Sequence, residues 1–218
     1  MSLTAVSKAN RLGANRLPDG SWQFLLWAPH STSVSIKLAE GGRTIAMDAL
    51  RGGYHQAVVG DVSAGTRYWY RLEDGRELPD PASRFQPEGV HGPSQLVDTG
   101  AFRWTDHSWK GRELQGSILY ELHVGTYTRE GTFDGLVPHL AHLVELGVTS
   151  VEIMPVAQFP GARNWGYDGV YEYAPENSYG GPEGLQRLVD AIHAHGLAAI
   201  LDVVYNHLGP EGNYLNAF

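Results

Sequence analysis

The sequence has no cysteine among its 218 residues and only three methionines. Without thiols, neither a disulfide scaffold nor a thiolate metal site is available. Positive charge is also scarce: 16 Lys and Arg stand against 24 Asp and Glu, for a formal net charge of −8, and the basic residues form no run. That balance lacks the electrostatic footprint of a nucleic-acid binder or of a protein drawn to an anionic membrane surface. No stretch approaches the roughly 20 apolar residues that span a bilayer. The opening MSLTAVSKANRLGANRL has no apolar core of the signal-peptide kind. A cytoplasmic protein with no nucleic-acid or membrane partner is expected.

What is present is ample apolar and aromatic material, 42% and 11% of residues, enough to bury one large core or two ordinary ones. Up to about Asp98 the chain reads as short strands: Trp22 to Ala28, Ser33 to Leu38, Arg43 to Asp48, Tyr54 to Val59 and Arg67 to Leu72. Apolar residues alternate in SVSIKL and RYWYRL, and Asp19-Gly20, Gly41-Gly42, Gly52-Gly53 and Asp74-Gly75 supply turns. This predicts an all-β sandwich over residues 1–98. Trp22, Trp27 and Trp69 are candidates for a sugar-binding platform, although the core is the expected place for them. The Pro- and Gly-rich stretch from Leu78 to Gly116 has no sustained period and reads as a connection along a domain surface, with residues 99–116 as the connecting segment proper.

From Ser117 the pattern becomes strand, helix, strand, long loop, helix, strand: SILYELHVG, FDGLVPHLAHLVELG, VTSVEIMPV, PEGLQRLVDAIHAHG and LAAILDVVYNH. The strands are nearly continuous apolar runs, as when both faces are covered. The helices place Leu136, Leu140, Leu143 and Leu146, or Leu185, Leu188 and Ile192, on one face. Residues 117–218 therefore read as α/β, a βαβαβ start with a parallel sheet. No G-x-G-x-x-G turn or Walker-type loop follows either of the first two strands, which removes the phosphate-cradle argument for a nucleotide cofactor and favours a (β/α)8 barrel over a doubly wound sheet. No cofactor is expected.

In a barrel the site lies at the C-terminal strand ends, and here those ends carry the polar and aromatic residues. Asp202 interrupts the apolar run LAAILDVV, where a charge facing a barrel interior needs a cationic or hydrogen-bonding partner. Asp202 and His207 are read as site residues, with a structural network at the rim as the alternative. The loop FPGARNWGYDGVYEYAPENSYGGP offers Trp165, Tyr167, Tyr171, Tyr173 and Tyr179 as stacking faces for sugar rings and Asn164 and Asp168 as hydroxyl partners. Equally, these aromatics form the loop's own core, although Tyr167 favours the site. Glu121 and His123 line either the site or the barrel core. His193 and His195, two apart on a helix, face different ways and read as surface histidines rather than metal ligands.

At these residues the sequence resembles the α-amylase superfamily, glycoside hydrolase family 13. YELHVGTYTREGTF looks like the first barrel strand of its glycogen-branching and trehalohydrolase members. VEIMPVAQFPG, RNWGYDGVYEYAPENSYGGPEGL and ILDVVYNHLGPEGNYL resemble the maltooligosyltrehalose trehalohydrolase subfamily, since branching enzymes usually show Gln and Pro where this chain has Asp168 and Gly169. The stretch around Trp27 to Pro29 looks like the immunoglobulin-like domain that precedes the barrel in both groups.

The resemblance implies that Asp202 matches the superfamily's first conserved aspartate, in the charge network of the catalytic centre. His207 matches the histidine that hydrogen-bonds the sugar at the cleavage subsite, and Tyr167 the tyrosine that stacks on it. With Trp165 and Asp168, these form the expected substrate-binding set. Asn206, a calcium ligand in other members, is assigned a structural role, so no metal is expected. The implied reaction is retaining hydrolysis of the α-1,4 bond beside the terminal trehalose unit of maltooligosyl trehalose. The implied nucleophile and acid/base follow the fourth and fifth barrel strands and have no counterpart here. From Ser117 to Phe218 is 102 residues, against about 250 for a full barrel. The expected architecture is therefore an immunoglobulin-like sandwich followed by the first three βα units of an incomplete (β/α)8 TIM barrel. The remainder of the same polypeptide is its expected partner, and this portion alone is expected to be inactive. The alternatives are a 1,4-α-glucan branching enzyme or a non-catalytic glucan-binding fragment.

Overall fold

The alternation in the first part of the chain folds as two antiparallel sheets. The computed structural model describes residues 11–218; the first ten residues of the expected sandwich and of the leader reading lie outside it. One sheet joins β1 (Gly13–Arg16), β2 (Trp22–Trp27), β6 (Tyr54–Val59) and β5 (Asp48–Ala49), in that order. The other joins β4 (Thr44–Ala46), β3 (Val34–Leu38), β7 (Arg67–Leu72) and β8 (Glu77–Leu78), and β9 (Ser94–Gln95) also pairs with β7. The period of two sends Phe24 and Leu26, Val34 and Ile36, Ala57 and Val59, and Tyr68 and Tyr70 into one shared core. Trp22 joins them, but Trp27 is 53% exposed and Trp69 half-buried. The expectation of a core position is thus corrected for these two: β2 ends at Trp27, and Trp69 lies between the two buried tyrosines of β7, on the opposite face of the strand.

The stretch after Leu78 does more than connect. Asp80 is fully buried and accepts from the Tyr68 hydroxyl at 2.5 Å, from the Tyr70 hydroxyl at 3.4 Å and from the Ala82 N–H at 2.8 Å. Its own N–H donates to Ser94 Oγ at 2.9 Å, which in turn donates to Gln86 Oε1 at 2.6 Å. Burial pushes the Asp80 carboxyl above its ordinary range, opposed by the Tyr68 and Ala82 hydrogen bonds and by Arg84. Residues 99–116 hold no helix or strand and run along the helix α4 (Gly181–Ala194). Thr105 donates to Asp190 through both its N–H and its hydroxyl, at 2.7 Å each.

His193, expected at the surface, is instead largely covered, its side chain 15% exposed. Its Nδ1 lies 2.7 Å from Asp106 and its ring stacks on Trp109 at 4.7 Å. Two partners more than eighty residues earlier in the chain hide it.

The second part is a parallel sheet ordered β10 (Leu119–Leu122), β11 (Ser150–Ile153), β14 (Ala198–Leu201). The first crossover is not one helix. It begins as α1 (Val124–Tyr127) and α2 (Phe133–Leu136), passes a 3-10 turn over Val137–His139 and resumes as α3 (Leu140–Glu145). Pro138 has no N–H to donate back into the preceding turn, which accounts for the break. Leu136, Leu140 and Leu143 are buried, but Leu146 is 58% exposed, correcting its place on the apolar face. It caps α3, where the helical register has ended.

Central strand β11 is buried along most of its length, whereas Leu119 of β10 and Leu201 of β14 are 44% and 46% exposed. Each of the two outer strands has one partner among the described residues, so an edge of each stays open. No helix among the described residues is long and apolar enough to cross a membrane.

The chain's end returns to the sandwich. Phe218 is buried in the sandwich core with its ring edge-on to Tyr70 at 6.4 Å, and its carbonyl accepts from the His30 N–H at 3.1 Å.

Replacing Asp80 with Ala strands two tyrosine hydroxyls and is expected to cost about 2–4 kcal/mol in urea unfolding. Because the folded-state value of Asp80 is raised, its protonated form stabilises the fold. That contribution is complete below the ordinary aspartate value of 3.8 and is lost as pH rises through the folded value. The stability difference between wild type and D80N should therefore shift toward wild type as pH falls from 7 to 4, measured by unfolding at each pH.

Candidate functional site

The parallel register sets Leu122, Ile153 and Leu201 side by side, so His123, Met154 and Asp202 leave the sheet at the same edge. From that edge the second connection runs to β12 (Ala157–Gln158), which pairs antiparallel with β13 (Tyr171–Pro175). Asn164, Trp165, Tyr167 and Asp168 lie on the loop between them.

A buried polar clasp closes the base of this loop. Gln158 and Glu176 are fully buried, and Gln158 Nε2 donates to Glu176 Oε2 at 2.6 Å. The Phe159 N–H donates to the same oxygen at 3.2 Å, and the Asn177 N–H donates to Gln158 Oε1 at 2.9 Å. The other Glu176 oxygen accepts from the Ser178 N–H and hydroxyl. Burial raises the Glu176 carboxyl, opposed by the Ser178 and Phe159 donors.

Within the loop, Asn164 is the organiser. Its Oδ1 accepts from the Gly166 N–H at 2.8 Å and from the Asp168 N–H at 3.4 Å, while its Nδ2 donates to Asp168 Oδ2 at 2.8 Å. Its carbonyl accepts from His123 Nε2 at 2.8 Å, and the Thr126 hydroxyl lies 3.0 Å from His123 Nδ1. A carbonyl cannot donate, so His123 carries its hydrogen on Nε2. Trp165 sits 4.8 Å from the His123 ring and stays 61% exposed. His123 thus supports the loop, whereas Glu121 is exposed.

Tyr167 is 45% exposed. Its carbonyl accepts from His207 Nε2 at 2.7 Å, and Asn206 Nδ2 lies 3.0 Å from His207 Nδ1. The segment after β14 is thereby fastened to the loop, and the Gly209 N–H adds a bond to the Gly169 carbonyl at 2.9 Å. Two glycines permit this closeness. A Cβ on Gly166, whose φ is +95°, would stand 2.1 Å from the Pro155 carbonyl oxygen, and one on Gly209 would stand 2.2 Å from that of Asp168.

Asp202 is half-buried just beyond β14, and among the described residues its carboxylate has no hydrogen bond or ion pair. It lines a cavity of about 160 Å³ with Gly166, Glu172, Tyr173 and Val204. His207 lines a more open cavity of about 480 Å³ with Glu172, Val204, Tyr205, Asn206 and Asn213.

The loop aromatics divide. Tyr171 and Tyr179 are buried: Tyr171 donates to the Val90 carbonyl at 2.9 Å, and burial pushes the Tyr179 hydroxyl to about 12. Trp165, Tyr167 and Tyr173 keep exposed rings. Sequence reasoning missed Glu172, Glu176 and Tyr205, the last 81% exposed. Glu172 and Glu176 carried no signal beyond being carboxylates in an aromatic loop. Among the described residues no group of three or more acidic or histidine side chains stands where it could hold a metal ion.

A cavity of about 610 Å³ lies elsewhere, between residues 95–103 and the start of α4. It shares no residue with this edge.

The model of the alpha amylase catalytic domain matches residues 93–217, more than half of the chain. The chain belongs to the α-amylase family. Residues 11–84 match carbohydrate-binding module 48, the isoamylase N-terminal domain. The chain is 50% identical over 200 residues to the malto-oligosyltrehalose trehalohydrolase of Saccharolobus solfataricus, covering 92% of this chain and 35% of the relative. It is 31% identical to a 1,4-alpha-glucan branching enzyme of Corynebacterium jeikeium, covering 95% of this chain and 31% of that one. Among solved structures, a Salmonella typhimurium protein with an alpha amylase assignment superposes with a TM-score of 0.90 at 46% identity, covering 94% of this chain and 35% of that one. The α-amylase family chain thus spans about a third of the length of these relatives.

Gly166→Ala is expected to cost at least about 2 kcal/mol through the clash and the left-handed backbone. It should also displace Trp165 and Tyr167. Thermal unfolding and cleavage of the 159–170 loop by a nonspecific protease check both; wild-type cleavage rates would contradict the clasped loop.

Proposed function

We propose that this chain is the front third of a maltooligosyltrehalose trehalohydrolase, which hydrolyses the α-1,4 bond beside the terminal trehalose unit and releases trehalose. The observation that carries the proposal is the joining of Tyr167 and His207: an exposed aromatic ring and an imidazole held together at the C-terminal edge of a parallel sheet. An exposed ring face suits the apolar C–H face of a hexopyranose, and the polar groups beside it suit the hydroxyls. Identity of 50% to the S. solfataricus trehalohydrolase, against 31% to the branching enzyme, supports the reaction type.

In this reading the sandwich up to residue 98, the connection over 99–116 and the first three βα units of a (β/α)8 barrel from 117 present the substrate. Tyr167 stacks on the sugar at the cleaved bond, and His207 donates to it when a sugar hydroxyl takes the place of the Tyr167 carbonyl at Nε2. Trp165 extends the stacking surface, while Asp168, oriented by Asn164, accepts from a hydroxyl. Asp202 contributes negative charge to the centre, balanced by groups on later strands.

Retaining hydrolysis needs a carboxylate nucleophile and a carboxylic acid about 5–5.5 Å apart. The proposal assigns both to later barrel strands, so residues 1–218 alone bind without cutting. The partners are maltooligosyl trehalose and the remainder of the polypeptide, in the cytoplasm.

Branching activity is the second reading, favoured by the C. jeikeium relative. A polypeptide of the relatives' full length, incubated with maltooligosyl trehalose, should release trehalose. Formation of α-1,6 branches without trehalose would replace the proposal with the branching reading. Tyr167→Ala in that polypeptide should lower kcat/KM at least tenfold, whereas residues 1–218 alone should release no trehalose.

A further inference from the structure

We infer that Glu172 is a further substrate-contacting residue of this site, its carboxylate accepting hydrogen bonds from adjacent hydroxyls of a bound glucose unit. The inference rests on the α-glucan reading above and adds a residue to it.

The placement of Glu172 comes first. Its side chain belongs to the wall shared by the two cavities, the one that holds Asp202 and the one that holds His207. It stands on β13 between buried Tyr171, which anchors the strand, and Tyr173, which is 65% exposed. A ligand passing from one cavity to the other passes Glu172.

Its lack of partners is the second observation. Among the described residues the half-buried Glu172 carboxylate takes part in no hydrogen bond or ion pair. Glu176, four residues on, shows the contrast: that carboxylate is buried and accepts from four donors. Burial pushes the Glu172 carboxyl above the usual glutamate range, and the nearby His207 opposes the shift without satisfying an oxygen. A half-buried carboxylate that no donor among the described residues engages, set in the wall of two cavities, is open to hydroxyls of a ligand.

The class of donor follows from the surroundings. Neither cavity is lined by Lys or Arg. No metal-holding group of acidic or histidine residues exists among the described residues. What the walls do offer is aromatic: Tyr173 in one cavity and Tyr205 in the other, both well exposed. A flat apolar face beside an acceptor-only carboxylate matches a neutral hexopyranose, with C–H groups toward the ring and O–H groups toward the charge.

The test uses the polypeptide of the relatives' full length and maltooligosyl trehalose as substrate. Glu172→Gln keeps the side chain's shape and removes its charge. It should raise KM about tenfold while kcat stays within about threefold and the thermal midpoint is unchanged. An unchanged KM overturns the inference. If E172Q also lowers the midpoint, equilibrium binding of maltotetraose by E172D decides: weaker binding at a wild-type midpoint supports the contact, and wild-type binding overturns it.

The two proposals fail separately. A wild-type protein that releases trehalose beside an unaltered E172Q removes Glu172 alone. A wild-type protein that acts on another α-glucan removes the trehalohydrolase reading, and the comparison is then made on that glucan. Inactivity on every α-glucan removes both.

Discussion

Everything at the candidate site depends on the register of three short parallel strands. Each pair is aligned residue for residue, Leu119 with Ser150 and Ala198, through Leu122 with Ile153 and Leu201. Because the strands run the same way and end level, the segments that follow them emerge at one edge. A slip of one residue would turn each strand's side chains to the opposite face. His123, the aromatic loop and the Asp202 to His207 segment would then no longer meet. The clasp of Gln158 and Glu176 and the bond from His207 to the Tyr167 carbonyl refine an arrangement that register has already made possible.

The second constraint is mutual support between the two parts of the chain. Tyr171, at the foot of the aromatic loop, donates to the Val90 carbonyl, and Asn177 Nδ2 donates to the Pro87 carbonyl at 3.0 Å. Both acceptors lie in the stretch that the Asp80 network fastens to the sandwich. In the other direction, Phe218 enters the sandwich core. The loop that carries Tyr167 is therefore braced from the N-terminal domain as well as from the sheet beneath it. A sandwich attached by a free linker would not brace it.

Legibility in the sequence followed the range of the interactions involved. Strand Arg67 to Leu72 was readable to the residue, because the alternation of Arg67, Trp69 and Arg71 with Tyr68, Tyr70 and Leu72 is local; Tyr54 to Val59 was readable from the Gly52-Gly53 turn before it. Gly13–Arg16, Glu77–Leu78 and Ser94–Gln95 were not, since nothing but pairing with a longer strand makes them extended. His193 shows the same limit for a side chain: its cover comes from Asp106 and Trp109, which no pattern around position 193 announces. At the site, the types of residue were legible but their division of labour was not. Five aromatics in one loop look alike in sequence, and the fold buries two of them.

The chemistry these residues can perform is recognition, and the distinction among α-glucan reactions has to be sought in how recognition is arranged. Hydrolysis and branching share a glycosyl-enzyme and differ in what reaches it, water or a second sugar hydroxyl. Groups that hold the donor sugar, as the proposed reading has Tyr167 and His207 do, serve either outcome equally. Discrimination must come from residues beside them that favour one acceptor geometry. The proposed reading gives that part to Asp168, whose carboxylate is oriented by Asn164 and cannot donate as an amide does. A charge that only accepts, fixed next to an aromatic face, selects for a hydroxyl-rich neighbour at that position. In the proposed reading such a group bears on specificity and has no share in bond cleavage.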